Sequence, residues 1–148
     1  MAVKRIDNVG IVVRDLDAAI AFFTALGMEL EGRTTVEGPA VDRLIALEGV
    51  RSDVAMLRAA DGGARIEMSS FHAPVARRGD PKAPVNTLGV GRIMLAVEDM
   101  DAVVARARAS GGELLGEIVQ YGDQYRLAYV RGPEGVMLAL AEELQPGS

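Results

Sequence analysis

The stretch Asp7–Asp17, DNVGIVVRDLD, decides the fold, because Gly91–Asp101, GRIMLAVEDMD, comes close to writing it again 84 residues later. Laid over each other, Asn8 falls on Arg92, Val9 on Ile93, Val13 on Val97, Asp15 on Asp99, Leu16 on Met100 and Asp17 on Asp101. Each copy is a short apolar run rich in branched residues, then an acidic residue, then a segment with helical spacing. That order reads as strand, N-cap, helix. Two copies at a fixed offset predict two like modules.

Working outward from the first copy, Leu16, Ile20, Phe23 and Leu26 recur on one helical face, and Gly27 stops the helix. Met28–Thr35 reads as a strand and Val41–Leu47 as a short helix after Gly38-Pro39. Val54–Arg58 and Arg65–Ser69 read as a hairpin around Asp61-Gly62-Gly63. Phe71–Gly89 carries Pro74, Pro81 and Pro84 and no apolar period, so it reads as a linker of the length that often helps to form a binding surface. The second copy repeats the plan: strand Val90–Val97, cap Asp99, and a helix with Met100, Val103, Val104 and Ala107 on one face, stopped at Gly111-Gly112. Glu113–Val119 is the next strand. Arg126–Val130 and Val136–Leu140 then form a hairpin around Gly132-Pro133-Glu134-Gly135. This closing hairpin lies 72 residues after the first module's hairpin, Gly135 on Gly63, which sets Ala139 opposite Glu67. The expected architecture is α+β, a β-α-β-β-β module written twice, and Gln145–Ser148 reads as a frayed tail.

A chain of 148 residues with 49% apolar and 25% charged residues has the profile of an ordinary soluble domain, or of two small halves sharing a core. It has no cysteine, which removes disulfides, thiolate catalysis and thiolate metal ligands. Sixteen basic against 21 acidic residues leave a net charge of −5 with no basic cluster, so nucleic acid is not expected as the main partner. No apolar run approaches the roughly 18 residues of a membrane span, and no apolar stretch of a secretory signal follows Lys4 and Arg5. A cytoplasmic protein is therefore expected, away from membranes.

The doubled strand-Asp-helix opening, with the closing G-P-E-G-V-M-L hairpin at Gly132–Leu138, resembles the vicinal oxygen chelate superfamily from about Ile6 to Leu144. This is the group of glyoxalases, bleomycin-resistance proteins and extradiol dioxygenases. The resemblance implies modules at 6–70 and 90–144 joined by a linker at 71–89, a mixed sheet curled into a cup, and a homodimer. It also implies four inward positions that commonly hold a divalent metal through His, Glu, His and Glu. Here those positions carry Asn8, Glu67, Arg92 and Ala139. Only Glu67 matches, an arginine cannot coordinate, and an alanine offers no donor. No metal and no other cofactor is therefore expected.

If the resemblance holds, Glu67 and Arg92 face the same cup. They could form an ion pair hydrogen-bonded by Asn8, or Arg92 could grip an anionic ligand with Glu67 as acid/base. Gln124, Tyr125 and Tyr129 suit a pocket rim, flat apolar area with a polar handle, and Tyr129 shares the face of Tyr125 and Leu127. His72, the only histidine, reads as a surface-loop residue. No phosphate loop, nucleophile elbow or zinc-protease motif is present. The expectation is a protein that, like the bleomycin-resistance group, holds a small, partly anionic hydrophobic molecule without transforming it. The competing class is an isomerase, lyase or glyoxalase-like enzyme with Glu67 as acid/base and Arg92 as electrostatic stabiliser, metal-dependent only through ligands such as Asp or Glu outside the four positions.

Overall fold

In the computed structural model, which describes residues 2–144, each copy of the repeat is an edge strand leading into a helix. Strand β1 (Asn8–Val12) precedes α1 (Leu16–Ala25), and β5 (Arg92–Ala96) precedes α3 (Met100–Ala109). The first module continues with β2 (Glu29–Glu37), α2 (Pro39–Ile45), β3 (Arg51–Arg58) and β4 (Arg65–Ala73). The second continues with β6 (Glu113–Tyr121), β7 (Tyr125–Arg131), a single 3-10 turn at Pro133–Gly135, and β8 (Met137–Glu143). The strands form two four-stranded mixed sheets of the same topology, ordered β1-β4-β3-β2 and β5-β8-β7-β6. The first and last strand of each module pair in parallel and the other neighbours pair antiparallel. The α+β fold of two β-α-β-β-β modules is thus as the sequence predicts. The chain divides into two compact units between Arg78 and Gly79. The tail expected at Gln145–Ser148 lies outside the described residues. No helix among the described residues is long and apolar enough to cross a membrane.

The repeat survives into the backbone. Gly10 pairs with Glu67, and Met94, 84 residues on, pairs with Ala139, the partner the 72-residue offset assigns. The Asp15 side chain accepts a hydrogen bond from Ala18 N at 3.0 Å, and Asp99 accepts one from Ala102 N at 3.3 Å. Each thereby satisfies an amide of the first helical turn that has no intrahelical partner. Past the helix ends, Gly27 (φ 107°) and Gly111 (φ 92°) adopt the left-handed conformation at equivalent positions.

The face toward each helix carries most of the core, and in the second unit Met137 and Ala139 on the other face are buried as well. In the first unit Leu16, Ala19, Phe22 and Phe23 of α1 are buried, as are Ala55, Leu57, Ile66 and Met68 of the sheet. Phe22 and Phe23 also meet edge to face, their centroids 5.4 Å apart. In the second unit Met100, Val103, Val104 and Ala107 of α3 are buried, with Ala128, Val130, Leu138 and Leu140. Each large apolar side chain buried this way contributes about 1.5–3 kcal/mol.

The strands run further than their apolar patterns suggest. Strand β2 extends to Glu37 although nearly all of it is exposed, because its backbone pairs with β3 as far as Arg51. Likewise β4 continues past Ser69 to Ala73, held by β3 through Ser52 and Arg51. Phe71 and His72, read as the start of a linker, are strand residues: pairing is a backbone property and does not need alternating apolar side chains. Helix α2 begins at Pro39, two residues earlier than its apolar pattern, since proline suits a first helical position.

In the second unit the segment after Gly79 is fastened to the closing hairpin. The Arg131 guanidinium donates to the carbonyls of Ala83 (2.6 Å), Pro81 (3.2 Å) and Gly135 (3.4 Å). Gly135 is at φ 76°, and a Cβ there would collide with the backbone of Pro81. Gly135→Ala therefore combines left-handed strain with a backbone clash. We expect it to lower stability by about 2 kcal/mol or more in urea unfolding. Gly91→Ala, at an ordinary φ with open space around it, should change stability by well under 1 kcal/mol, roughly the scatter of a surface substitution.

Candidate functional site

Because the helix of each module covers one sheet face, the opposite face is where a ligand can be met. Residues paired across strands share a face, as do alternate residues along a strand. In the first unit this places Asn8 and Gly10 of β1, Arg65 and Glu67 of β4, Met56 and Val54 of β3, and Gly32 and Thr34 of β2 on the face away from α1. Glu67 sits on an inner strand, half-buried, between Gly10 and Met56. Within its unit its carboxylate has no hydrogen-bonding or charged side-chain partner among the described residues. Asn8 is one diagonal step away. Its amide donates to Asp7 Oδ2 at 3.1 Å, which holds the Asp7 carboxyl below the usual carboxylate range, with help from Arg5. Arg65, in register with Asn8, is taken up by Glu31 (Nε to Oε2, 2.9 Å).

In the second unit the matching face carries Arg92 and Met94 of β5, Met137, Ala139 and Ala141 of β8, and Leu127, Tyr129 and Arg131 of β7. The guanidinium carbon of Arg92 lies 5.8 Å from the centroid of the Tyr129 ring, a cation–π contact. These two residues come from strands on either side of β8, so Arg92 reaches across β8 where the side chain is only the methyl of Ala139. Within the unit no carboxylate among the described residues pairs with Arg92.

The structure thus sorts the predicted site residues. Asn8 and Glu67 are neighbours in the first unit, and Arg92 and Tyr129 meet in the second. Tyr125 shares the face of Tyr129, as its spacing predicts, but stands at the hairpin tip roughly 13 Å along the strand. Gln124 lies in the turn beside it, where its backbone N donates to Tyr121 O and its carbonyl accepts from Leu144 N. Neither is brought to Arg92. Ala139 offers no metal donor, yet its small size is what lets Arg92 reach Tyr129. The pairing of Ala139 with Tyr129 could not be read from spacing along one strand.

The residues at the four positions of the expected metal set do not fit a divalent cation. Asn8 offers only a neutral amide oxygen, a weak ligand, Glu67 one carboxylate, Arg92 a permanent cation and Ala139 a methyl. Among the described residues no group of three or more His, Cys, Asp or Glu side chains is placed to hold a metal.

The family model described as the Glyoxalase/Bleomycin resistance protein/Dioxygenase superfamily matches residues 5–140. The uncharacterized protein YwbC of Bacillus subtilis (strain 168) is 30% identical over 136 residues, which cover 89% of this chain and 92% of that protein. Among solved structures, a glyoxalase family protein from Bacillus cereus is 47% identical with a TM-score of 0.93, the match covering 98% of this chain and 99% of that one. Leishmania major glyoxalase I, described as trypanothione-dependent, matches at 22% identity and a TM-score of 0.66 over 95% of this chain and 88% of its own. At that identity the likeness is one of fold.

Outside these faces, the first unit holds one further polar cluster, and it relocates the histidine. His72 is an exposed residue of β4, and its Nε2 lies 2.9 Å from Asp53 Oδ2 on β3. Thr35 of β2 donates to Asp53 Oδ1 at 2.7 Å. The Thr35 hydroxyl, then His72, holds the Asp53 carboxyl below its ordinary value, and Arg33 adds to this from β2. A depressed carboxyl stabilises the fold above its unfolded value of about 3.9 and loses that contribution as pH falls through the lowered folded value. The stability gap between wild type and Asp53→Asn should therefore hold from about pH 6 down to about pH 4 and close below it. Urea melts across that range measure it, and a gap that widened below about pH 4 would contradict the assignment.

Proposed function

The chain belongs to the glyoxalase/bleomycin resistance/dioxygenase superfamily, and from that premise we propose that it is a metal-independent member that binds a small, hydrophobic, partly anionic molecule. One observation carries the reading. At the four positions where the family resemblance places metal ligands, this chain has a neutral amide, one carboxylate, a guanidinium and a methyl. A cationic side chain stands where a metal ligand would, so the positive charge at the site is supplied by the chain itself and meets a ligand by charge-assisted hydrogen bonds. The neighbours support an apolar ligand body: Met56, Val54 and Gly10 around Glu67, and Met94, Ala139 and Tyr129 around Arg92. Tyr125 and Gln124 serve as outer contacts at the hairpin tip. The same reading takes the chain to be a cytoplasmic homodimer, and the exposed Leu44, Ile45 and Leu47 on and just past α2 support a self-association surface.

A second reading has its own observation. Glu67 is half-buried and unpaired within its unit, as a general acid/base would be, so an isomerase, lyase or glyoxalase-like reaction could use it to move a proton. The two readings separate in one set of experiments. Protein purified and dialysed against Ni, Zn, Mn or Fe salts is expected to retain far less than stoichiometric metal. In a thermal-shift screen of small aromatic and aliphatic acids it should be stabilised by ligands recovered unchanged. Near-stoichiometric metal would overturn the metal-free reading. Turnover that Glu67→Gln abolishes, with ligand binding retained, would replace the binder with the enzyme.

A further inference from the structure

We infer that the face of the second sheet away from α3 is a carboxylate subsite that orients a flat, apolar ligand with its acid group on the exposed Arg92. The inference rests on the binding reading above and adds the class and direction of the ligand. Three features of that face carry it.

The first is an uncompensated charge. Arg92 lies against Tyr129 with no carboxylate among the described residues of its unit. Arg131, in register with Arg92 through Met137, has no carboxylate partner there either, and its donors are taken by the carbonyls of Pro81, Ala83 and Gly135. Glu113 of β6 stands in register with Arg131 and offsets its charge, so what this end of the face offers is one guanidinium with free donor edges, Arg92, a single fork. A fork of parallel N–H groups matches a carboxylate, whereas a phosphate dianion needs more donors than one arginine presents.

The second is the shape of the floor. The inner strand β8 presents Ala139 and Ala141, while the flanking strands present Met94 on one side and Tyr129 and Leu127 on the other. Met137 and Ala139 are themselves buried, so the shallow apolar trough lies over Ala141 and Leu127 beside the exposed Met94. From the Tyr129–Ala139 row to the Tyr125–Glu143 row it runs about 13 Å, room for a one- or two-ring body. The third feature is polarity along the trough. It ends at Arg92 on one side and at Glu143, paired with Tyr125, on the other. A ligand bearing one acid group is therefore directed, its anion toward Arg92 and its apolar end toward the hairpin tip.

Isothermal titration of the full chain with 1-naphthoate, 1-naphthamide and inorganic phosphate tests this. The two naphthyl probes share shape and differ in charge. Wild type should bind the carboxylate about tenfold or more tightly than the amide, the size of one charge-assisted hydrogen-bonding contact. Arg92→Met should erase that difference by weakening the carboxylate alone, and Arg92→Lys should restore part of it, because a point charge replaces a fork. Ala139→Glu, which sets a carboxylate in the path of Arg92, should also weaken naphthoate selectively. Arg58→Gln, which removes an exposed guanidinium from β3 of the first unit, should leave the carboxylate-to-amide ratio unchanged. Equal binding of the two probes by wild type would overturn the subsite and leave the broader binding reading standing. So would equal weakening of both by Arg92→Met, or tighter binding of phosphate than of naphthoate. Binding of neither naphthyl probe would overturn the subsite and count against the binding reading with it.

Discussion

The parallel pairing of the first and last strand of each module is the constraint on which the rest of this structure depends. A parallel pair cannot be closed by a tight turn, so the chain must leave the sheet and return, and a helix makes the crossing. In leaving, α1 and α3 each cover one sheet face and bury their apolar stripes against it. On the opposite face the paired strands set side by side residues far apart in sequence: Gly10 with Glu67, Met94 with Ala139. Asn8 and Arg92, one alternate position back on the edge strands, fall beside those pairs on the same faces. The core and the candidate site are two sides of the same pairing.

On that common frame the two modules have diverged in charge. The first sheet presents a half-buried carboxylate without a side-chain partner in its unit. The second presents a guanidinium in the same condition, laid on an aromatic ring. The substitutions in the second sheet are coupled physically: a long acidic side chain at position 139 would block the route that Arg92 takes over β8 and would neutralise its charge, whereas alanine does neither. Where the family pattern places a metal ligand, this sheet presents a guanidinium on an aromatic ring, with the backbone register unchanged.

Much of the fold was legible because strand-Asp-helix is a local signal and because it occurs twice. The caps at Asp15 and Asp99, the stop at Gly27 and the stripe Met100, Val103, Val104, Ala107 all act within a few residues of themselves. So does the face shared by Tyr125, Leu127 and Tyr129, which follows from the pleat. The positions of Asn8, Glu67, Arg92 and Ala139 could be matched by counting offsets, and the register agrees with that count. What was not legible depended on partners distant in the chain. His72 follows no apolar pattern, so nothing local marked it as a strand residue; the pairing of β4 with β3 and the Asp53 carboxylate place it there.

The sequence by itself therefore determined the two modules, their α+β order and the loss of three of four expected metal-ligand types, because residue chemistry and short-range periodicity are written in the chain directly. Tertiary structure alone decided that Arg92 meets Tyr129 across Ala139, that Gln124 and Tyr125 stand apart from it at the hairpin tip, and that Arg131 fastens the 81–83 segment through backbone carbonyls. Those outcomes turn on which strand lies next to which, and on the size of the side chain between them. Spacing along one strand carries neither.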